Sequence, residues 1–303
     1  MLNRLLANLL PWLPKKLVWQ ISKHYIAGET INDAVNAAKK LHAQGIMTTI
    51  DLLGEFITTL DEARANKNEY LNMIDVVRKE NISGNYSLKP TFFGLLIDKE
   101  AAYGYIREIV AKAAEFDHFV RIDMESADCT DMEIELFRRL KTEFPKNVGL
   151  VLQAYLKRTP QDINHLLDLN SKDIPLNIRL CKGIYVESPA IAFQSYSQIN
   201  THFLENIELM IQKKIFSAIA THDQPIVEGV YNLLDQYKVP KDRYEFQMLY
   251  GVTPKLCASI LEKNHPMRVY IPFGQQWFGY CSRRIKENPK ISSVIVKAIF
   301  FRG

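Results

Sequence analysis

Near the C-terminal end, Tyr280, Arg283, Arg284 and Glu287 are spaced i, i+3, i+4 and i+7. A helix there puts all four on one face. Two guanidinium groups can hold a carboxylate in bidentate fashion. The glutamate can balance an amine, and the tyrosine can cover an apolar surface. Such a face suits a small zwitterion. The same residues also make an ordinary solvated Arg/Glu face, so the spacing alone leaves both readings open.

The elements that would position this face come from hydrophobic periodicity. The chain reads as strands near residues 46–53, 86–89, 119–124, 148–154, 176–180, 216–220, 244–248 and 267–271. Helical patterns follow near 60–80, 99–116, 132–144, 159–169, 196–213, 226–237, 253–263 and 276–289, with one more at 31–45 ahead of the first strand. The last strand is expected to break at Pro272 and Gly274. No Asn-Gly hairpin signal joins neighbouring strands. Strands alternating with helices imply a parallel sheet, and eight such units imply an α/β fold of the (β/α)8 TIM-like barrel type with N-terminal helices. An open doubly wound sheet is the alternative, but no strand is followed by a Gly-x-Gly-x-x-Gly fingerprint. The domain division that follows is an N-terminal helical arm, 1–45, and a barrel catalytic domain, 46–303.

In such a barrel, chemistry collects at the C-terminal ends of the strands. Lys89, Asp123, Glu125, Gln153, Arg179, Lys182, Thr221, His222, Asp223 and Tyr250 all fall there, and Tyr270 lies close to the end of the last strand. So many polar groups at one rim point to a functional rim. Asp123 and Glu125 are expected to face opposite ways, so only one belongs in the site. His222 reads equally as a core histidine or a ligand contact. Cys181 reads as packing, because no histidine nearby in sequence can serve it as a base. Trp277 and Phe278 read as cover over the barrel top.

Composition narrows the class. The 303 residues are 47% hydrophobic and 24% charged, ordinary for a globular protein. Net charge is +4 and the pI about 8.7. No basic run is interleaved with aromatics, which argues against nucleic acid. Four scattered cysteines without a Cys-x-x-Cys fit a reducing, cytoplasmic compartment. No histidine stands at ligand spacing from another histidine or a cysteine, so no metal is expected. Residues 1–20 are apolar but interrupted by Arg4, Pro11, Pro14, Lys15 and Lys16. They are too short and broken to span a bilayer and lack a small-residue cleavage site. Their leucines, tryptophans and lysines suit either packing on the barrel or contact with a membrane surface.

Several runs together resemble the proline dehydrogenase family. They are Lys89-Pro90, Arg179-Leu180-Cys181-Lys182-Gly183-Ile184-Tyr185, Ala220-Thr221-His222-Asp223, Met248-Leu249-Tyr250-Gly251, Val269-Tyr270-Ile271-Pro272-Phe273-Gly274 and Arg283-Arg284. The resemblance runs in order from about Gly45 to Asn288. It implies a distorted (β/α)8 barrel of the monofunctional bacterial type. It also implies an FAD-dependent oxidation of L-proline to Δ1-pyrroline-5-carboxylate, the first step of proline catabolism. Electrons would pass to a membrane quinone from a protein lying peripherally on the inner face of the cytoplasmic membrane.

The resemblance also assigns roles. Asp123 and Arg179 are the implied catalytic residues, with Arg179 near flavin N5. Lys89, Tyr270, Tyr280, Arg283, Arg284 and Glu287 are the implied substrate contacts, with the Tyr280 hydroxyl disfavouring hydroxyproline. Met124, Gln153, Arg179, Lys182, Gly183, Ile184, Thr221 and His222 are implied at the FAD. Cys181 and Gln275-Gln276 depart from the residues common in the family without removing any of these roles. A barrel enzyme of another class, such as an aldolase using Lys89 or Lys182 as a Schiff base, is the competing reading, and a catalytically inactive membrane-associated barrel is a third.

Overall fold

The computed structural model describes Trp19, residues 23–54 and residues 57–281. Its centre is a closed barrel of eight parallel strands in sequence order. These are β1 (Met47–Leu52), β2 (Asn85–Leu88), β3 (Phe119–Ile122), β4 (Val148–Gln153), β5 (Asn177–Cys181), β6 (Phe216–Ala220), β7 (Tyr244–Leu249) and β8 (Met267–Phe273). β8 closes on β1 in a register running from Met47 opposite Arg268 to Leu52 opposite Phe273. Helix α1 (Ile31–His42) precedes β1 and packs on β1 and β8. The crossovers carry α2 (Leu60–Lys79), α3 (Lys99–Ala114), α4 (Thr130–Glu143), α5 (Thr159–His165), α6 (Tyr196–Gln212), α7 (Gln224–Gln236) and α8 (Pro254–Glu262).

The helices start where local chemistry directs. Thr30 with Asp33, and Thr59 with Glu62, form reciprocal capping boxes on α1 and α2. Asp98 caps α3, and Ser195 caps α6. Proline stands in the first turn of α5, α7 and α8, where its missing N–H leaves no bond unmade.

Alternate strand residues face opposite sides. One set (Ile50, Tyr86, Leu88, Val120, Ile122, Leu150, Ile178, Leu180, Ile219, Phe246, Met248, Ile271) is buried in the apolar core with helix residues such as Tyr70, Ile109, Phe137, Phe203 and Val230. Burying one such side chain stabilises the fold by about 2 kcal/mol. The other set faces the barrel axis, and much of it is polar: Thr49, Asp51, Asn85, Ser87, Arg121, Gln153, Arg179, Glu245 and Gln247 are all buried. The axis is therefore filled by hydrogen-bonded side chains in place of the branched aliphatics that commonly fill such barrels.

One sequence expectation fails here. β8 does not break at Pro272 but runs through it to Phe273, with Pro272 opposite Asp51 of β1. The reason is positional. β7 pairs with β8 only as far as Tyr270, so the missing N–H interrupts no ladder on that side. The Pro272 carbonyl accepts a hydrogen bond from Ala27 N at 3.0 Å, and Gly274 N donates to Gly28 O at 3.0 Å. Residues 23–29 thus form a strap across the end of β8. Trp277 begins a helical turn above it. Its indole N–H donates to Glu29 at 2.9 Å, and its ring meets Trp19 edge-on. With Tyr25, Ile26, Leu53, Tyr280 and Cys281 it makes a second apolar cluster over the barrel mouth.

Candidate active site

Inside the C-terminal mouth of the barrel lies a cavity of about 1060 Å³. That is at the upper end of small-molecule sites, about 300–1,000 Å³. Its wall includes Lys89, Asp123, Met124, Gln153, Arg179, Lys182, Gly183, Ile184, Thr221, His222, Tyr270 and Tyr280. Arg283, Arg284 and Glu287 lie outside the described residues. Tyr250 and Glu125 are not part of the wall, whereas Asp223 is.

The floor is a charged cluster built from four strand ends. Asp123 follows β3. Its Oδ1 accepts from the Ser87 hydroxyl at 2.5 Å and from the Arg179 guanidinium. Its Oδ2 accepts from the Tyr270 hydroxyl at 3.3 Å and lies 3.6 Å from Lys89 Nζ. Arg179 also donates to Ser87 Oγ at 3.1 Å and to Gln247 Oε1 at 3.5 Å, and lies over the Tyr270 ring. Lys89 Nζ stands 3.4 and 3.5 Å from the two carboxylate oxygens of Asp51. The resulting order is Asp51, Lys89, Asp123, Arg179, with charges alternating in sign.

Burial and charge pull these groups in different directions. Burial pushes the Asp51 carboxyl up to about 6; Lys89 opposes that shift and Asp123 adds to it. For Lys89, burial favours the neutral amine, but Asp51 and Asp123 outweigh it and hold the group above its ordinary value. Burial, with Asp123 and Asp51 behind it, keeps the Tyr270 hydroxyl protonated well beyond its ordinary range, so it serves as a donor. A Schiff-base lysine needs the opposite environment, one that favours the free amine. That environment argues against the aldolase reading for Lys89. Lys182 is held in an ion pair with Asp223, over the Tyr196 ring.

Asp123 and Glu125 do diverge, for a reason other than strand alternation. Two residues apart on a regular strand they would share a face. β3 ends at Ile122, and Glu125 turns away to accept from Thr91 N at 2.9 Å and Thr91 Oγ1 at 2.6 Å. Its own N–H donates to the buried Glu133 carboxyl at 3.1 Å. His222 is half-buried, so it is not a core histidine. It lines the cavity, and its Nε2 accepts from Leu249 N at 2.8 Å. Cys181 lines the cavity too, and burial pushes its thiol up to about 11, so it stays un-ionised near neutral pH.

The far part of the cavity runs along the loop after β5. Gly183 adopts φ +100°, and a Cβ there would fall 2.1 Å from the Tyr155 ring. Glycine is therefore required by backbone conformation and by its tyrosine neighbour. Ile184 and Val186 are exposed at the rim. The Gln153 side-chain N–H groups donate to Met124 O and Glu125 O, both at 3.2 Å. Its buried Oε1 has no protein partner, and the residue itself is part of the cavity wall. An orphaned buried acceptor is costly unless a ligand fills it.

Polar wall or floor residues that were not picked out as site residues from sequence include Asp51, Ser87, Gln247 and Tyr196. Ser87 and Gln247 lie within strands, and Asp51 sits one residue before the end of β1. The signal that marks them is the period of two they share with the axis-facing neighbours Thr49, Asn85 and Glu245. Tyr196, at the start of α6, carries no such signal.

The fold and this site define a (β/α)8 barrel whose mouth opens into a cavity with a charged floor and a mainly apolar wall. The sequence comparisons make the class specific. The family model for proline dehydrogenase matches residues 34–297. "Proline dehydrogenase 1" of Bacillus subtilis subsp. natto is 36% identical over 278 residues, covering 92% of this chain and 90% of that protein. "Proline dehydrogenase" of Deinococcus radiodurans is 31% identical over 291 residues, covering 95% and 92%. The chain belongs to the proline dehydrogenase family. In three dimensions it is similar to proline utilization A of Bdellovibrio bacteriovorus inactivated by N-propargylglycine, with a TM-score of 0.84 and 25% identity. The match covers 90% of this chain and spans 33% of that longer protein.

Proposed function

We propose that the protein oxidises L-proline to Δ1-pyrroline-5-carboxylate with FAD as its cofactor, the first step of proline catabolism, and passes the electrons to a membrane quinone. Family membership supports the substrate. The single observation that carries the reading is the convergence of Lys89, Asp123, Arg179 and Tyr270 at the floor of one cavity. The wall above them suits a flavin dinucleotide. Gln153 offers an unfilled acceptor. Lys182 and backbone N–H groups after β5 suit a pyrophosphate, and Met124, Ile184, Thr221 and His222 complete a mixed apolar and polar lining.

Bound there, FAD supplies a two-electron acceptor for hydride. The protein's own groups do the rest. Lys89 holds the substrate carboxylate, joined by Arg283 and Arg284 from the segment outside the described residues. Tyr270 and Tyr280 wall the pyrrolidine ring. Asp123 fixes Arg179, Lys89 and Tyr270 relative to one another. Arg179 offers a fixed positive charge where negative charge develops. Among the described residues no helix is long and apolar enough to cross a membrane. The proposed contact with the membrane that carries the quinone is peripheral, through residues 1–20.

The test is anaerobic mixing of the purified protein with L-proline. Its visible flavin band should bleach. A protein that stays colourless after reconstitution with FAD, or a band that proline leaves unchanged, would overturn the reading.

A further inference from the structure

For hydride to leave the carbon beside nitrogen, the substrate's ammonium must first lose a proton, because only the nitrogen lone pair can form the new C=N bond. The cavity holds several titratable groups, and most are committed. Asp123 accepts from Ser87, Arg179 and Tyr270, so both of its oxygens are already taken up by fixed donors. His222 Nε2 is held by Leu249 N–H. Asp223 is held by Lys182 and by Asn200 at 3.2 Å. Lys89 is an ammonium and has no lone pair to offer.

Asp51 differs. It lines the cavity, its side chain is 2% exposed, and its nearest cation is Lys89 at 3.4 Å, beyond a normal charge-assisted bond. The groups that face it are Lys89 after β2, Asp123 after β3, Tyr270 on β8 and Tyr70 on α2. Of these only Lys89 carries positive charge. A substrate whose carboxylate rests on Lys89 has its ammonium one carbon away, within reach of the carboxylates that flank that lysine.

Resting on the proline dehydrogenase reading, we propose that Asp51 is a catalytic residue that takes the ammonium proton of bound proline. One N–H bond breaks and leaves its pair on nitrogen. One O–H bond forms on the Asp51 carboxyl, so charge and protons balance without a further reactant. The proton returns to solvent after product leaves. The raised proton affinity of Asp51 fits a base that must work near neutral pH.

The test is the variant Asp51→Asn in the flavin-loaded enzyme. Wild-type kcat/KM for proline should fall on the acid side of about pH 6. D51N should lose about 100-fold at pH 7, and its kcat/KM should climb about tenfold per pH unit up to pH 9, as only neutral proline reacts. D51N within threefold of wild type, with the same acid limb, would overturn the proposal.

A binding readout stands apart from turnover. Tetrahydrofuran-2-carboxylate has a ring oxygen in place of the amine. Its calorimetric affinity for wild type should weaken as pH rises from 5 to 8 and Asp51 ionises, and should be flat in D51N. The same slope in both proteins overturns the proposal. If D51N does not fold, wild-type calorimetry decides, and a flat profile there overturns it. A wild type whose flavin proline does not bleach would instead sink the proline reading itself.

Discussion

Two layers of polar side chains share one barrel axis. The lower layer, at the N-terminal end, contains Asn85, Arg121, Asn177, Glu245 and Arg268 around a cavity of about 150 Å³. The upper contains Asp51, Ser87, Asp123, Arg179, Gln247 and Tyr270 below a cavity of about 1060 Å³. Their residue types are nearly interchangeable. What separates them is completeness. In the lower layer Arg268 donates to Glu245 at 2.8 and 3.1 Å and to Thr48 O at 2.8 Å. Arg121 donates to Asn177 O at 2.9 Å and Asn177 Oδ1 at 2.6 Å. Gly149 makes room for it, since a Cβ there would lie 2.5 Å from Nη1. In the upper layer Lys89 reaches its carboxylates only at 3.4 to 3.6 Å, and Gln153 leaves an acceptor empty. The finished layer holds the barrel together. The unfinished one keeps interaction capacity in reserve for a ligand.

The contrast can be broken from either side. Arg268→Met should have the largest effect. It strands the buried Glu245 carboxylate and should cost about 3–5 kcal/mol of stability, read by denaturant unfolding. The protein that remains folded should keep the proposed flavin; loss of flavin ahead of unfolding would contradict the division of labour. Arg179→Met should do the reverse. It should lower kcat by about 100-fold or more. The melting temperature should fall less than in Arg268→Met, because Asp123 keeps Ser87, Tyr270 and Lys89. Equal melting losses in the two variants would erase the distinction.

The smallest effect concerns pH. Asp51 moves from 3.8 to about 6 on folding, so its contribution to stability is fully present below about pH 4 and lost as pH rises through 6. Wild type should therefore weaken relative to Asp51→Asn by on the order of 2 kcal/mol between pH 4 and 7. Parallel stability curves for the two proteins across that range would show that the upper layer carries no such cost.

Much of this was legible in the sequence because barrels expose their chemistry at strand ends. Lys89, Gln153, Lys182, Thr221 and His222 stand where a strand stops and a loop begins, so periodicity alone located them. The eight units were equally plain, since short strand-like runs alternate with longer helical patterns along the chain. Arg121, Glu245 and Gln247 were not legible that way. They sit inside strands, and a reading that looks for polar residues at ends passes over polar residues at every second position. Pro272 misled for a related reason. Proline ends a strand only where its N–H is needed, and pairing with β7 had already stopped at Tyr270. No local pattern reports where a neighbour lets go.

The strap at residues 23–29 has a consequence for the order of synthesis. Its backbone partners, Pro272 and Gly274, and its side-chain partner, Trp277, emerge from the ribosome some 250 residues later. Contacts so distant along the chain form late in folding. A nascent chain can thus raise most of its strands while the mouth has no cover. The strap is fastened in large part by residues made much later, so the cover over the cavity closes late in assembly.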